Sequence, residues 1–222
     1  ENFIIPPNIT EIPKLHCWQY CMNHDLYAVD LSNTNITKIG QRSFEGCTKL
    51  RVVSLPTSLE NIEYKSFHSC TDLETVIFPT SLRRIGEQAF QFSGIKEADL
   101  SGTKLKKIEW QTFHNCEDLE TVTFPTSLEK IEFSAFGGSA IREVNLSGTS
   151  VKDIANNAFG SCSNLENFTF SALLETIGQS AFSKSIIKEV DLSETNVRYI
   201  GRNAFFFAPS LETVISSTSL ET

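Results

Sequence analysis

Phenylalanine recurs in this chain at a fixed interval of 23 residues. Eight consecutive positions keep this spacing without insertion or deletion, namely Phe44, Phe67, Phe90, Phe113, Phe136, Phe159, Phe182 and Phe205. A fixed period of about 20 to 50 residues is the sequence signature of a solenoid, in which each unit buries its apolar face only against its neighbours. The repeat therefore predicts a stack of about nine 23-residue units.

Further apolar columns keep the phase of the phenylalanines. An isoleucine stands five residues before each Phe, as Ile108 does before Phe113. After each Phe comes a segment such as Leu119, Val122 and Phe124, whose alternation indicates a β-strand. No hairpin turn links successive strands, so we expect them to stack in parallel. The segments between strands are too short for a full helix and predict a 3₁₀ or irregular outer wall.

The units are of two alternating kinds. The strand begins six residues after Phe113 but five residues after Phe136, and the following loop is one residue longer in the second kind. The loop reads Pro-Thr-Ser at residues 79–81 in a unit of the first kind and Leu-Ser-x-Thr at residues 100–103 in a unit of the second. From the third complete unit onward the period is therefore 46 residues, which indicates duplication of a two-rung block.

The repeat resembles the BspA-like, Treponema-type leucine-rich repeats. Their units read roughly L-x-x-I-x-x-x-A-F-x-x-C-x-x-L-x-x-[VI]-x-[LF]-P-x-S, and the stretch from Leu105 to Ser127 fits closely. The resemblance covers residues 26–222 and extends more loosely to residue 3. It implies a leucine-rich-repeat solenoid, a right-handed curved stack with a parallel β-sheet on the concave face and short 3₁₀ or irregular segments on the convex side. It also implies a surface or secreted protein that acts in attachment and has no catalytic motif.

The two ends of the chain differ from its middle. Residues 1–25 predict an atypical first unit with three extra residues, and residues 26–222 hold the regular repeats. The last unit stops one residue short of its expected isoleucine. We therefore expect a piece of a longer protein, with any signal or anchor outside it.

Charge and hydropathy narrow the classes of partner. The net charge of −8 argues against binding to the phosphate backbone of nucleic acid. The longest wholly apolar run, residues 204–208, is far shorter than the ~20 residues of a transmembrane helix, so no direct membrane insertion is expected. The expected partner is a protein.

Four of the six cysteines form a column three residues after a Phe, namely Cys47, Cys70, Cys116 and Cys162. We interpret them as small buried side chains with weak S–H donors. Positions two rungs apart are separated by about 10 Å, beyond the ~7 Å Cα limit for a disulfide. Distance alone does not exclude a bond between Cys47 and Cys70, which occupy adjacent rungs. Cys17 and Cys21 lie in the first unit, where a cap disulfide and two reduced core thiols both remain open.

No candidate catalytic or metal site breaks the repeat. His68 and His114 each follow a column Phe directly, so repetition explains them. His24 with the two cysteines of the first unit makes a poor set of metal ligands. A nucleophile and its base would have to escape the repeat, because an active site is unique and a repeat is not. We expect no enzyme activity, no cofactor and no metal.

The outward strand positions are the candidate binding face. Acidic rows are expected to alternate with threonine-rich rows on the concave surface, in step with the 46-residue period. The candidate residues are Thr75, Glu97, Asp99, Thr121, Thr123, Glu143, Asn145, Asn167, Thr169, Glu189 and Asp191. Two interpretations stay open, a solvated sheet face whose charges balance locally and a shallow acidic platform for a protein partner.

The sequence as a whole predicts a non-enzymatic, adhesin-like protein-binding module on the cell surface or secreted. The alternative is an intracellular structural scaffold or spacer in the cytoplasm that uses the solenoid for protein–protein contacts. A glycan on the loop residue Asn35, in an N-x-T sequon, would support the surface interpretation. A Cys17–Cys21 disulfide would do the same, and unmodified cysteines throughout would weaken it.

Overall fold

A computed structural model of the chain describes residues 9–12 and 26–220. Within these ranges the backbone forms eighteen β-strands and no helix, so no helix there is able to cross a membrane. The three-residue strands are β2 (Ala28–Asp30), β4 (Val52–Ser54), β6 (Thr75–Ile77), β8 (Glu97–Asp99), β10 (Thr121–Thr123), β12 (Glu143–Asn145), β14 (Asn167–Thr169), β16 (Glu189–Asp191) and β18 (Thr213–Ile215). The two-residue strands are β1 (Glu11–Ile12), β3 (Lys38–Ile39), β5 (Asn61–Ile62), β7 (Arg84–Ile85), β9 (Lys107–Ile108), β11 (Lys130–Ile131), β13 (Asp153–Ile154), β15 (Thr176–Ile177) and β17 (Tyr199–Ile200).

Each rung of this parallel solenoid has three sides. The three-residue strands form what we call the strand face, and the two-residue strands form the short-strand face. A six-residue turn around the column Phe, such as residues 110–115, forms the turn face. The predicted solenoid is confirmed. The predicted 3₁₀ or irregular outer wall is partly corrected. The two-residue segments that each end in a column isoleucine pair with one another as short parallel strands.

The first unit is described only in part. β1 pairs in parallel with β3, so residues 11 and 12 join the short-strand face one rung before the regular repeats. The remaining residues of the predicted atypical unit, 1–8 and 13–25, lie outside the described part of the chain.

The phenylalanine column forms the centre of the core. Its rings from Phe44 to Phe182 are fully buried, and Phe205 is partly buried. Each ring stacks on the next with centroids between 5.1 and 5.6 Å apart. This separation is close to the ~4.8 Å distance between neighbouring strands, so one ring fits each rung. This fit of one ring to each rung explains why Phe recurs at a fixed interval.

The turn face is held by backbone hydrogen bonds between rungs. The N–H groups of Gln111, Phe113 and Asn115 each donate to a carbonyl of the next turn at 2.8 to 3.0 Å. Gln111 and Asn115 have left-handed φ values of 52° and 53°, whereas Phe113 between them does not. The alternation of left-handed and ordinary backbone conformations directs all three N–H groups along the stack. The same three bonds join every pair of turns from the one at Phe44 to the one at Phe205.

The strand face is interrupted. Strand pairing joins β2, β4 and β6, then β8 to β10, β12 to β14 and β16 to β18. In this described part of the chain it is missing between β6 and β8, between β10 and β12, and between β14 and β16. Each break falls where a unit with six-residue spacing between Phe and strand precedes a unit with five-residue spacing. The 46-residue period thus appears as pairs of strands.

Three of the column cysteines have the predicted role. Cys70, Cys116 and Cys162 are free and buried, and each thiol donates to the carbonyl of a Phe in the preceding rung at 3.0 to 3.1 Å. Burial raises the pKa of Cys116 to about 12 and that of Cys162 to about 11. These thiols therefore stay protonated and unreactive at neutral pH.

Cys47 corrects the prediction for this column, because it is disulfide-bonded. The bond to Cys70 that the sequence left open is not formed, since the free Cys70 thiol donates to the carbonyl of Phe44. Since the other three cysteines of the column are free, we expect the partner of Cys47 to be a cysteine of the first unit. That unit contains Cys17 and Cys21, which lie outside the described residues.

Candidate binding face

All eleven residues predicted to form the binding surface lie on the strand face, and all eleven are exposed. In β8, β10, β12, β14 and β16 the first and third residues are exposed around a buried central residue. Thr75 has the same exposed position as the first residue of β6. Exposure alone does not make a binding residue, so the contacts of each side chain decide which of them is available to a ligand.

The third residue of each acidic rung is committed to the loop that follows. Asp99 Oδ1 accepts hydrogen bonds from the Ser101 backbone N–H at 3.0 Å and from the Ser101 hydroxyl at 2.7 Å. It also accepts from the Thr123 hydroxyl on the next strand. The bond to Thr123 is the main cause of the lowered pKa of Asp99, followed by the bonds to Ser101. Asn145 and Asp191 accept equivalent bonds from their own loops.

This loop role had a signal in the sequence. Asp or Asn stands two residues before Ser in each Leu-Ser loop, as at Asp30, Asp99, Asn145 and Asp191. A side chain that accepts from the N–H two residues further on forms an Asx turn. Strand alternation predicts only that these residues face outward. It does not show that their side chains are already hydrogen-bonded to the following loop.

Two pairs of charged residues just before the strands neutralise one another between rungs. Lys96 Nζ lies 3.4 Å from Glu74 Oε2, and Arg142 Nε lies 3.5 Å from Glu120 Oε2. All four side chains are more than half exposed, so these pairs contribute little to stability. They do remove net charge from this border of the strand face, as the interpretation of locally balanced charges expects.

Three glutamates on the strand face remain unpaired. Glu97, Glu143 and Glu189 make no ion pair and no side-chain hydrogen bond with any described residue. They are the first residues of β8, β12 and β16, with one strand between each pair of them. We call these three residues the glutamate row.

Clefts open at two of the interruptions in the strand ladder. The cleft between β6 and β8 has a volume of about 430 Å³, and the cleft between β14 and β16 has about 750 Å³. Both volumes lie in the range of ligand pockets. The charged lining residues of the first are Glu74, Glu97, Asp99 and Lys96. Those of the second are Glu166, Glu189, Asp191, Glu194 and Lys188.

Carboxylates outnumber ammonium groups in both clefts, by three to one in the smaller and four to one in the larger. The glutamate row therefore begins and ends in acidic depressions, with Glu97 in the first and Glu189 in the second. The repeat pattern alone does not predict these clefts, although the change from six-residue to five-residue spacing marks each junction where they open.

Metal-ligand clusters and the two histidines that follow column phenylalanines bear on the prediction that the chain has no enzyme activity. In residues 9–12 and 26–220 no three His, Cys, Asp or Glu side chains come together as metal ligands. His68 and His114 lie on the turn face, and burial is the main cause of their lowered pKa values. Both are therefore neutral at pH 7. The absence of enzyme activity and of cofactors stays a prediction.

Comparison with known proteins supports the fold and its repeat. The family profile described as BspA type leucine rich repeat region matches residues 10–142 and 97–212, in six copies. No curated protein matches the chain.

Solved structures with a similar fold include a leucine-rich repeat protein from Bacteroides ovatus. It is 24% identical with a TM-score of 0.79, over 95% of this chain and 62% of its own length. A leucine rich cell surface protein from Faecalibacterium prausnitzii is 22% identical with a TM-score of 0.71, over 98% and 67%. A leucine rich repeat protein of T. pallidum is 22% identical with a TM-score of 0.54, over 81% and 74%. These identities show the fold alone, and the chain spans about three fifths of the Bacteroides protein.

Proposed function

Because the chain belongs to the BspA-type leucine-rich repeat family, we propose that it is a non-enzymatic, adhesin-like module that attaches to a protein of a host or of another cell through its strand face. The glutamate row is the observation that carries this proposal. Its three carboxylates are exposed and unpaired, whereas Lys96 and Arg142 at the border of the same face form ion pairs and Asp99 holds a loop. Repeat solenoids use extended faces of this kind to bind partners.

Two observations support a location on the cell surface or outside the cell. Cys47 is disulfide-bonded, and structural disulfides form and persist in oxidising compartments. One structure with the same fold is described as a leucine rich cell surface protein. An intracellular spacer would need neither the disulfide nor an unpaired acidic row, so these observations favour the surface module.

The experiment compares two triple variants with the same change in charge. The face variant carries Glu97→Lys, Glu143→Lys and Glu189→Lys. The control variant carries Glu60→Lys, Glu129→Lys and Glu175→Lys, which change surface glutamates directly before β5, β11 and β15. Both variants and the parent chain are immobilised and incubated with surface-labelled proteins from cultured cells, and the captured proteins are quantified by mass spectrometry.

We expect the face variant to lose the proteins that the parent chain captures, because three negative charges become positive where the partner docks. The control variant should retain them. Loss of capture by the control variant together with full capture by the face variant would contradict docking on the strand face.

A further inference from the structure

Three consecutive turns of the turn face carry no charged residue. They are residues 110–115, 133–138 and 156–161, whereas each of the other five turns around a column Phe contains a Lys, Arg or Glu. The histidine of the first turn, His114, is neutral at pH 7 because burial lowers its pKa. We call the surface of these three turns the uncharged patch. It has no charge with which to attract an ionic ligand.

Two aromatic side chains border the uncharged patch. Trp110 and Phe133 are the first residues of successive turns, and they are 41% and 40% exposed. Their ring centroids lie 6.4 Å apart, so the two rings form one apolar surface. Glu109 and Glu132 directly before them each form an ion pair with a cation of the short-strand face. The rings are therefore the groups that this border offers to a ligand.

A cleft of about 180 Å³ opens within the same three turns. Gly137 and Gly160 line it, at positions where other turns carry side chains such as Gln91 and His114. Ser134, which follows Phe133 directly, is another lining residue, so the cleft begins next to the aromatic pair. Pockets for whole drug-sized ligands measure about 300–1,000 Å³. The smaller cleft suits a single ring of a longer ligand.

The polar groups of the cleft lack partners within the described part of the chain. Asn115 and Asn157 line the cleft, and their side chains make no hydrogen bond there. Each carboxamide offers two N–H donors and one carbonyl acceptor. His114 Nδ1, at the wall of the cleft, is buried and also has no partner among these residues. Buried polar atoms are usually hydrogen-bonded, so the cleft is suited to a ligand that both donates and accepts.

From these features we infer that the uncharged patch binds a neutral saccharide. A pyranose ring has an apolar face of C–H groups, a rim of hydroxyls that donate and accept, and no charge. One sugar ring enters the cleft and hydrogen-bonds to Asn115 and Asn157. A neighbouring sugar packs its C–H face on Trp110 and Phe133. The site lies on the turn face, so it is separate from the docking proposed for the strand face.

Other classes of ligand fit the uncharged patch less well. A nucleic acid or another polyanion needs Lys or Arg side chains, and the three turns contain none. A cationic peptide needs carboxylates, which they also lack. An apolar peptide segment would cover the two carboxamides without giving them partners, at a cost in free energy.

The test measures the binding of four neutral oligosaccharides by isothermal titration calorimetry. These probes are cellohexaose, maltohexaose, mannohexaose and chitohexaose. A heparin hexasaccharide and an uncharged peptide rich in leucine and asparagine represent the competing ligand classes. The aromatic variant carries Trp110→Ala and Phe133→Ala. Its control carries Phe206→Ala and Phe207→Ala, which remove the exposed aromatic pair of the last turn, with ring centroids 4.7 Å apart.

A cleft variant with Asn115→Gly and Asn157→Gly tests the polar half of the site. Both asparagines have left-handed φ values, 53° and 54°, which glycine adopts without steric cost. The substitutions therefore remove the carboxamides and keep the backbone of the turns. Thermal melts of every variant verify the fold, and the cleft variant decides the outcome if the aromatic variant is unstable.

We expect at least one neutral hexasaccharide to bind the parent chain with a Kd below about 5 mM. The aromatic variant and the cleft variant should each weaken that binding about tenfold or more, and the control variant should bind like the parent chain. The inference is overturned if no neutral saccharide reaches this affinity, or if heparin or the peptide binds more tightly. It is also overturned if the control variant loses as much affinity as the aromatic variant, or if the cleft variant loses none.

The saccharide assay and the capture assay fail independently. The face variant with Glu97→Lys, Glu143→Lys and Glu189→Lys should bind the saccharide like the parent chain, because its changes lie on the strand face. Loss of saccharide binding in that variant would contradict a site on the turn face. Capture of cell-surface proteins that survives in the face variant would contradict only the docking proposal.

Discussion

The turn face and the strand face of the same rungs follow opposite rules. On the turn face each turn from Phe44 onward donates three backbone hydrogen bonds to the next, up to the turn at Phe205. On the strand face the pairing stops at β6–β8, β10–β12 and β14–β16. One side of the solenoid therefore supplies continuous structure. The pairing on the other side is broken at alternate junctions from β6 onward, and acidic clefts open at two of these breaks.

The sequence variation follows this division. The interval between column phenylalanines stays at 23 residues, because every ring must stack on its neighbour. The one-residue deletion before the strand and the compensating insertion after it both fall outside the turn. The strand face can thus change its spacing and side chains without disturbing the core column.

The largest predicted loss of stability follows removal of a ring from the phenylalanine column. Phe113 is fully buried between Phe90 and Phe136, at centroid distances of 5.4 Å on both sides. Phe113→Ala should lower the free energy of unfolding by about 3–5 kcal/mol, as loss of a core aromatic usually does. Phe205→Ala should cost less, because Phe205 is only partly buried. Equal losses for the two variants in urea melts would contradict stacking as the source of stability.

The next effect concerns the junction with the first unit. Cys47→Ser should lower the free energy of unfolding by about 2–4 kcal/mol, the usual contribution of a disulfide. Cys116→Ser removes a free buried thiol and should cost less. In non-reducing peptide mapping we expect Cys47 to be linked to Cys17 or Cys21, since the other three cysteines are free. A free Cys47 thiol in the native protein would refute this cross-link.

The core was more predictable from the sequence than the binding face. Periodicity places Phe113 and Ile108 in the core, because burial by neighbouring identical units leaves no other position for them. It does not distinguish Glu97 from Asp99, since both face outward from β8. Their difference depends on partners in other segments, the Ser101 loop and the Thr123 hydroxyl. The clefts arise from the failure of two strands to pair, which local alternation cannot reveal.

A smaller effect should appear on mild acidification. Burial lowers the pKa values of His68 and His114 from 6.5, so below that pH the unfolded chain binds more protons than the folded chain. Stability should therefore fall as pH drops below about 6.5.

The His68→Gln/His114→Gln variant should lose much of this dependence, and Gln91 shows that glutamine fits the same repeat position. Thermal melts between pH 7.5 and 5.5 make the comparison. The lowered pKa of Asp99 acts only near and below its ordinary value of 3.8, outside this interval. An undiminished slope in the double variant would exclude these histidines as its cause.

The smallest effect on stability is predicted for the strand face. Reversal of Glu97, Glu143 and Glu189 to Lys should change the free energy of unfolding by no more than about 0.5 kcal/mol per site, because exposed, unpaired side chains contribute little to folding. Urea melts of the triple variant measure it directly. A loss comparable to that of Phe113→Ala would show that the glutamate row is structural and would remove the basis for assigning binding to this face.

Hydrogen–deuterium exchange tests the division between the two faces most directly, because both are sampled within one rung. The N–H groups of Ser134, Phe136 and Gly138 donate to the next turn at 2.8 to 3.1 Å. The strand of that rung, β12, pairs with β14 on one side and lacks a paired strand on the side of β10. We predict that the turn amides exchange about tenfold or more slowly than the amides of β12. Equal protection of the two segments, or slower exchange in β12, would contradict the turn face as the continuous support of the solenoid.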